Sequence, residues 1–175
     1  MSRLGIGKPC EKGVKRCASS APNTNQEGGG AGDGRQGSSR GAVLIVDDNA
    51  EDAAWARRAI LRLDIRNPVI TVSSGAAAIA YIKGEVPYQD RQLFPYPVLI
   101  LLDLKMPGID GFEVLRWLQR ESTHGALPVV ALSAIEDLRL VTRAYQLGAR
   151  SFLRKPITTS DFEAFLRAFG VPVEF

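Results

Sequence analysis

Five short apolar runs, each followed by a helical pattern, constrain this chain more than any other feature. The runs are "AVLIV" (42–46), "PVITV" (68–72), "VLILL" (98–102), "PVVAL" (128–132) and "SFL" (151–153). They are continuous rather than alternating, which is the mark of strands covered on both faces. Helical patterns follow over 49–63, 75–83, 111–120, 136–147 and 160–169. In the first, Trp55, Ala56, Ala59, Ile60 and Leu63 are expected to share a face, with acidic residues early and arginines late, as the helix dipole prefers. Ile79 and Ile82 anchor the second, and Phe112, Leu115 and Leu118 the third. In the fourth, Leu138, Val141, Ala144 and Leu147 form a stripe closed by Gly148. In the fifth, Phe162, Phe165, Leu166 and Phe169 lie at i, i+3, i+4 and i+7, between a Ser160 N-cap and Gly170. This alternation predicts an α/β domain: a parallel sheet, helices on both faces and right-handed crossovers.

The first 41 residues do not fit that pattern. They hold ten of the 17 glycines and no aromatic residue. Such a segment cannot bury enough surface to offset its ordering entropy, so 1–41 is expected to be a disordered, Gly-rich basic extension. It carries seven Lys/Arg against three Asp/Glu, so the chain's basic character resides there and not in 42–175. Its basic residues are spread out and lack aromatic company, so a solvated arm is expected and not a nucleic-acid binder. Cys10 and Cys17 have no second pair or nearby His, which points to free thiols rather than a zinc site. There is no apolar signal-peptide core and no run long enough to span a membrane, so a cytoplasmic protein is expected.

In a doubly wound α/β sheet, ligands bind beyond the carboxyl ends of the strands. Asp47 and Asp48 follow the first run, Asp103 the third, Ser133 the fourth, and Lys155 stands two residues past the fifth. Two carboxylates about 5 Å apart repel by roughly 3 kcal/mol at an effective dielectric near 20. Three together call for a cation or for protonation. An oxygen-only set favours a hard ion such as Mg2+. A carboxylate beside Mg2+ and a lysine can attack a phosphoryl group, whose spreading charge both cations neutralise. A P-loop and a strand-linked dinucleotide fingerprint are both absent.

The segments "LIVDDN", "DLKMPGIDG", "ALSA" and "FLRKP", in this order, resemble the receiver domain of two-component response regulators across residues 42–169. The resemblance implies a flavodoxin-like (βα)5 fold with strand order 2-1-3-4-5, in which 42–170 form the receiver and 171–175 a short tail. It implies Asp103 as phosphoacceptor, with Asp48, Asp103 and the Lys105 backbone carbonyl on Mg2+, and Asp47 acting through metal-bound water. Lys155 would pair with the phosphoryl group or, before modification, with Asp103, and the peptide to Pro156 would be cis. Ser133 and Phe152 would fill the switch positions, biasing a surface over 136–169. Phe152 lacks a phenolic hydroxyl, and plain core packing is the competing reading for it. The positions two past the acceptor and two past the hydroxyl, Lys105 and Ile135, bear on hydrolysis, and slow autodephosphorylation is expected.

The family is one of phosphoacceptors rather than enzymes. An aspartyl-nucleophile phosphatase is disfavoured because Lys105 stands where a second aspartate would act as general acid. A degenerate receiver used only for binding is disfavoured by the complete set of five residues. Only "GVPVEF" follows the last helix, so a stand-alone receiver acting through protein contacts is expected. The long segment "GEVPYQDRQLFPYP" (84–97) resembles that of small regulators paired with phytochrome-type sensor kinases. That likeness implies a sensor histidine kinase of bacteriophytochrome type, or a phosphotransfer protein, as donor. It also implies a homodimer through the 136–169 face, which Val171, Val173 and Phe175 would extend, with a frayed end as the alternative. His124, in "ESTHGALP", is expected to be solvent-exposed.

Overall fold

The computed structural model describes residues 40–121, 124, 126–134 and 137–175. Ile135 and residues 1–39 lie outside the described residues, and with them the expectations for the extension and for the role of Ile135.

Each apolar run forms a strand: β1 (Ala42–Val46), β2 (Val69–Val72), β3 (Pro97–Asp103), β4 (Val129–Ser133) and β5 (Ser151–Arg154). All pairings are parallel, and the order is β2-β1-β3-β4-β5. The continuous apolar runs now have their cause. Ala42, Leu44, Val46, Ile100, Leu102 and Ala131 point into one core layer with Tyr81, Phe112 and Leu115. Their neighbours Val43, Ile45, Leu99, Leu101, Val130 and Leu132 point into the other, with Ile60, Phe162 and Phe165. A strand alternates its side chains between two faces, so a sheet buried on both needs an apolar residue at every position.

The helices are α1 (Ala50–Leu61), α2 (Gly75–Lys83), α3 (Gly111–Arg120), α4 (Leu138–Gln146) and α5 (Thr159–Phe169). The second layer belongs to α1 and α5, the first to α2, α3 and α4. Asn49 caps α1, Asp110 closes a capping box on α3, and Gly170 ends α5 in the left-handed region at φ 55°.

Several local expectations are corrected. Thr158, not Ser160, caps α5, because its hydroxyl accepts from Asp161 N while Asp161 reaches back to the Thr158 backbone. On α1 the buried face is Ala53, Ala56, Ala59 and Ile60; Trp55 is 51% exposed. On α4 only Ala144 is fully buried; Val141 and Leu147 of the expected stripe are half-buried, and Leu138, 79% exposed, is the member that faces solvent. The tail is not frayed: Val171 is buried, Val173 packs on the second core layer, and Glu174 N donates to Asn67 Oδ1 at 2.7 Å. Of its apolar residues, Phe175 is the exposed one.

The long segment before β3 is held by Arg91. Its guanidinium donates to the carbonyls of Tyr81 and Ile82 at 2.9 and 2.8 Å, satisfying the C-terminal end of α2. Tyr81, Tyr88 and Phe94 pack ring to ring beneath it. His124 is also corrected: it is half-buried, stacked on Trp117 and hydrogen-bonded to the Tyr96 hydroxyl.

Candidate phosphoacceptor and metal site

Parallel pairing carries the predicted residues to one edge. β1 and β3 run in register, Val46 beside Leu102, so Asp47 and Asp103 leave the sheet side by side. Ser133 closes β4 and pairs with Arg154, the residue before Lys155. Asp48, Asn49, Asp52, Asp103, Lys105, Ser133 and Lys155 line one open cavity of about 260 Å3. Asp103 lies at its base, 6% exposed, and Asp47 is 2% exposed beside it.

Two contacts orient the Asp103 carboxylate. Oδ1 accepts from Lys105 N at 3.1 Å, and Oδ2 accepts from Lys155 Nζ at 2.9 Å. Lys155 Nζ also stands 2.7 Å from Asp47 Oδ2 and 3.2 Å from Asp52 Oδ2. The peptide from Lys155 to Pro156 is cis. The one ammonium is therefore shared by three carboxylates, and its pairing with Asp47 and Asp103 accompanies two shifts. Burial alone would pull Lys155 down, but Asp47 and Asp103 together outweigh it and hold the ammonium above the ordinary lysine value. Asp47 receives only a share of one cation, so its own burial dominates and raises its carboxyl above the usual range.

The carboxylate oxygens of Asp47, Asp48 and Asp103 all lie within 4.8 Å of one another. A hard divalent cation fits this set on two counts. The donors are all oxygens, and Asp47 Oδ2 is a buried oxygen that makes an ion pair with Lys155 at 2.7 Å but has no partner in hydrogen-bonding geometry.

Two residues that shape the site were not legible in the strand-end pattern. Asp52 comes from the first turn of α1 and reaches Lys155 across 103 residues of chain. Gly111, at the start of α3, packs so closely that a Cβ there would lie 2.2 Å from the Asp103 carbonyl oxygen. The "DG" of the acceptor segment hinted at Gly111; nothing local marked Asp52. Phe152 is half-buried and packs against the first core layer, next to Ala131 in register.

The comparisons with known proteins agree with this geometry. The model of the response regulator receiver domain matches residues 43–167. The response regulator Rcp1 of Synechocystis sp. is 29% identical over 119 residues, 68% of this chain and 79% of that protein. The solved Mn2+-bound form of response regulator Rcp1 superposes with a TM-score of 0.63 at 27% identity, covering 75% of this chain and 95% of that one. The bacteriophytochrome response regulator RtBRR superposes with a TM-score of 0.68 at 31% identity, covering 75% of this chain and 79% of the other. The phosphorylated cyanobacterial phytochrome response regulator RcpA superposes at 0.65 with 26% identity, covering 78% and 99%. A flavodoxin-like five-stranded sheet in the order 2-1-3-4-5, an acidic edge and a match over residues 43–167 lead to one conclusion: the chain belongs to the response-regulator receiver family of two-component signalling.

Proposed function

We propose that Asp103 accepts a phosphoryl group from a phosphohistidine donor, a sensor histidine kinase or a phosphotransfer protein. The observation that carries this reading is the Asp103 carboxylate itself, oriented by Lys105 N and Lys155 Nζ at the base of an open, acidic cavity. An Asp103 oxygen attacks phosphorus, a P–O bond forms, and the P–N bond to the donor imidazole breaks. Lys155 pairs with the phosphoryl oxygens as their charge spreads, in place of the carboxylate oxygen it held before. Asp48, Asp103 and the Lys105 carbonyl would hold Mg2+, with Asp47 acting through bound water. The ion supplies charge neutralisation on the transferring group.

Ser133, at the cavity wall, then donates to the phosphoryl group. Phe152, half-buried on the next strand, turns inward behind it, and the α4–β5–α5 surface changes its partner preference. The similarity to phytochrome-associated regulators supports a bacteriophytochrome-type kinase as donor and a homodimer through 136–169 as the contact formed. The protein acts as a cytoplasmic phosphoacceptor, not as an enzyme, and holds its phosphoryl group for minutes or longer. Among the described residues no helix is long and apolar enough to cross a membrane.

The test is incubation of the full chain with acetyl phosphate and Mg2+, read by intact mass. The expected result is a gain of one phosphoryl group that Asp103→Asn abolishes. Phosphorylation that persists in Asp103→Asn, or none under any donor, refutes the reading. A half-life of seconds would refute the slow hydrolysis alone.

A further inference from the structure

Lys155 touches three carboxylates, but the contacts differ in kind. It donates directed hydrogen bonds to Asp103 Oδ2 at 2.9 Å and to Asp52 Oδ2 at 3.2 Å. Toward Asp47 Oδ2 it makes a 2.7 Å ion pair, and that oxygen has no hydrogen-bond partner. An ammonium has three donors and no preferred plane, so acceptors on different elements fix its place. Here the two directed acceptors sit on α1 and β3.

We infer that Asp52 is a positioning residue for the phosphoacceptor chemistry. It anchors the Lys155 ammonium from α1, so that Asp47 Oδ2 can turn to a hydrated cation while the lysine stays beside Asp103. The inference rests on the phosphoacceptor reading above. The placement suits this role, since Asp52 lines the same cavity as Asp48, Asp103 and Lys155. Asp52 is also the most dispensable of the lysine's partners for folding, with a side chain 32% exposed where the other two are nearly buried. Without it, the ammonium has only Asp103 and Asp47 left. Already 2.7 Å from Asp47 Oδ2, it is then drawn fully to that oxygen and competes with the cation for it. Asp52 thus draws the ammonium partly away from the one carboxylate that lysine and metal would share.

The experiment titrates Mn2+ alone into the full chain, with free ion read by electron paramagnetic resonance. Asp52→Asn is expected to weaken Mn2+ binding about three- to tenfold, the range of a partly exposed charge contact. In a Lys155→Met background the same substitution is expected to change the affinity less than about twofold, because the competitor is gone. With Mg2+, the 15Nζ resonance of Lys155 should stay near its metal-free position in the wild type and move in Asp52→Asn. Circular dichroism melting establishes that each variant is folded. An unchanged affinity in Asp52→Asn overturns the inference. So does an equal loss in both backgrounds, which would make Asp52 a through-space charge only. A wild-type chain that binds no Mn2+ instead refutes the site reading itself, a result that does not depend on Asp52.

Discussion

Replacing Gly111 by alanine adds one methyl group to the tightest place in the site. Its Cβ would fall 2.2 Å from the Asp103 carbonyl oxygen, 2.8 Å from Leu104 Cα and 3.0 Å from the Asp103 carbonyl carbon. Ordinary contact begins at 3.4 Å, so something must give by about an ångström. All three atoms are backbone, and no flexible side chain can absorb the shift. Either the start of α3 lifts, stretching the 3.3 Å bond from Gly111 N to Leu104 O, or the Asp103–Leu104 peptide turns and carries the Asp103 carboxylate with it. Overpacking of this kind costs about 1–3 kcal/mol. Alanine's helix preference returns at most about 1 kcal/mol. The net loss is expected at about 1–2 kcal/mol, read as a lower urea midpoint by tryptophan fluorescence. Mn2+ and beryllofluoride affinity should both fall. Gly108→Ala is the control. Gly108 sits at φ 75° with nothing within 4 Å of its missing Cβ, so alanine there meets backbone strain of about 1–2 kcal/mol and leaves the Asp103 carboxylate in place. Wild-type stability and wild-type affinity in Gly111→Ala would refute the reasoning. Equal damage to the site from Gly108→Ala would refute it as well.

Burial pushes the Tyr81 hydroxyl up to about 12, and it donates to Pro95 O at 2.7 Å. An unfolded tyrosine ionises near pH 10, so this stability is complete below that value. About 2–3 kcal/mol should disappear as pH rises from about 10 to 12. Tyr81→Phe should remove that alkaline limb in pH-dependent urea melts and cost about 1–2 kcal/mol at neutral pH, where Pro95 O loses its donor. The Asp47 carboxyl is raised by burial, so the folded state binds its proton more tightly than the unfolded chain does. Stability should therefore rise as pH falls through that raised value. Asp47→Asn should be more stable than the wild type near neutral pH while losing Mn2+ binding, a trade between stability and function. Arg91→Ala strips the donors from the Tyr81 and Ile82 carbonyls. It should cost about 1–3 kcal/mol and open the 84–97 segment to limited proteolysis; an uncut variant would refute the capping role.

The three central strands were legible because a sheet buried on both faces writes its own signature, an unbroken apolar run ended by a polar residue; the edge strands β2 and β5 are only partly covered, and the run of β5 is correspondingly short. The ends of those runs also named Asp47, Asp48, Asp103, Ser133 and Lys155, since parallel strands all finish at one edge. Helix faces were less legible where the sheet does not cover them. Leu138 and Trp55 fit helical periods yet face solvent, because α4 has a single buried residue and α1 turns its alanines inward to approach the sheet closely. The cap of α5 shifted from Ser160 to Thr158 because a capping box needs an acidic residue three positions on, and Asp161 serves Thr158.

The sequence by itself determined the fold class, the edge on which chemistry is possible and the charges that meet there, because each is a local pattern repeated along the chain. Only the tertiary structure decided how those charges are shared. It drew Asp52 to Lys155 from α1, set Gly111 against the backbone of Asp103, and left Asp47 Oδ2 buried without a hydrogen bond. It also brought His124 between Tyr96 and Trp117. Contacts of this kind join residues far apart in the chain, whose pairing is fixed by how helices pack on the sheet, and no local period records it.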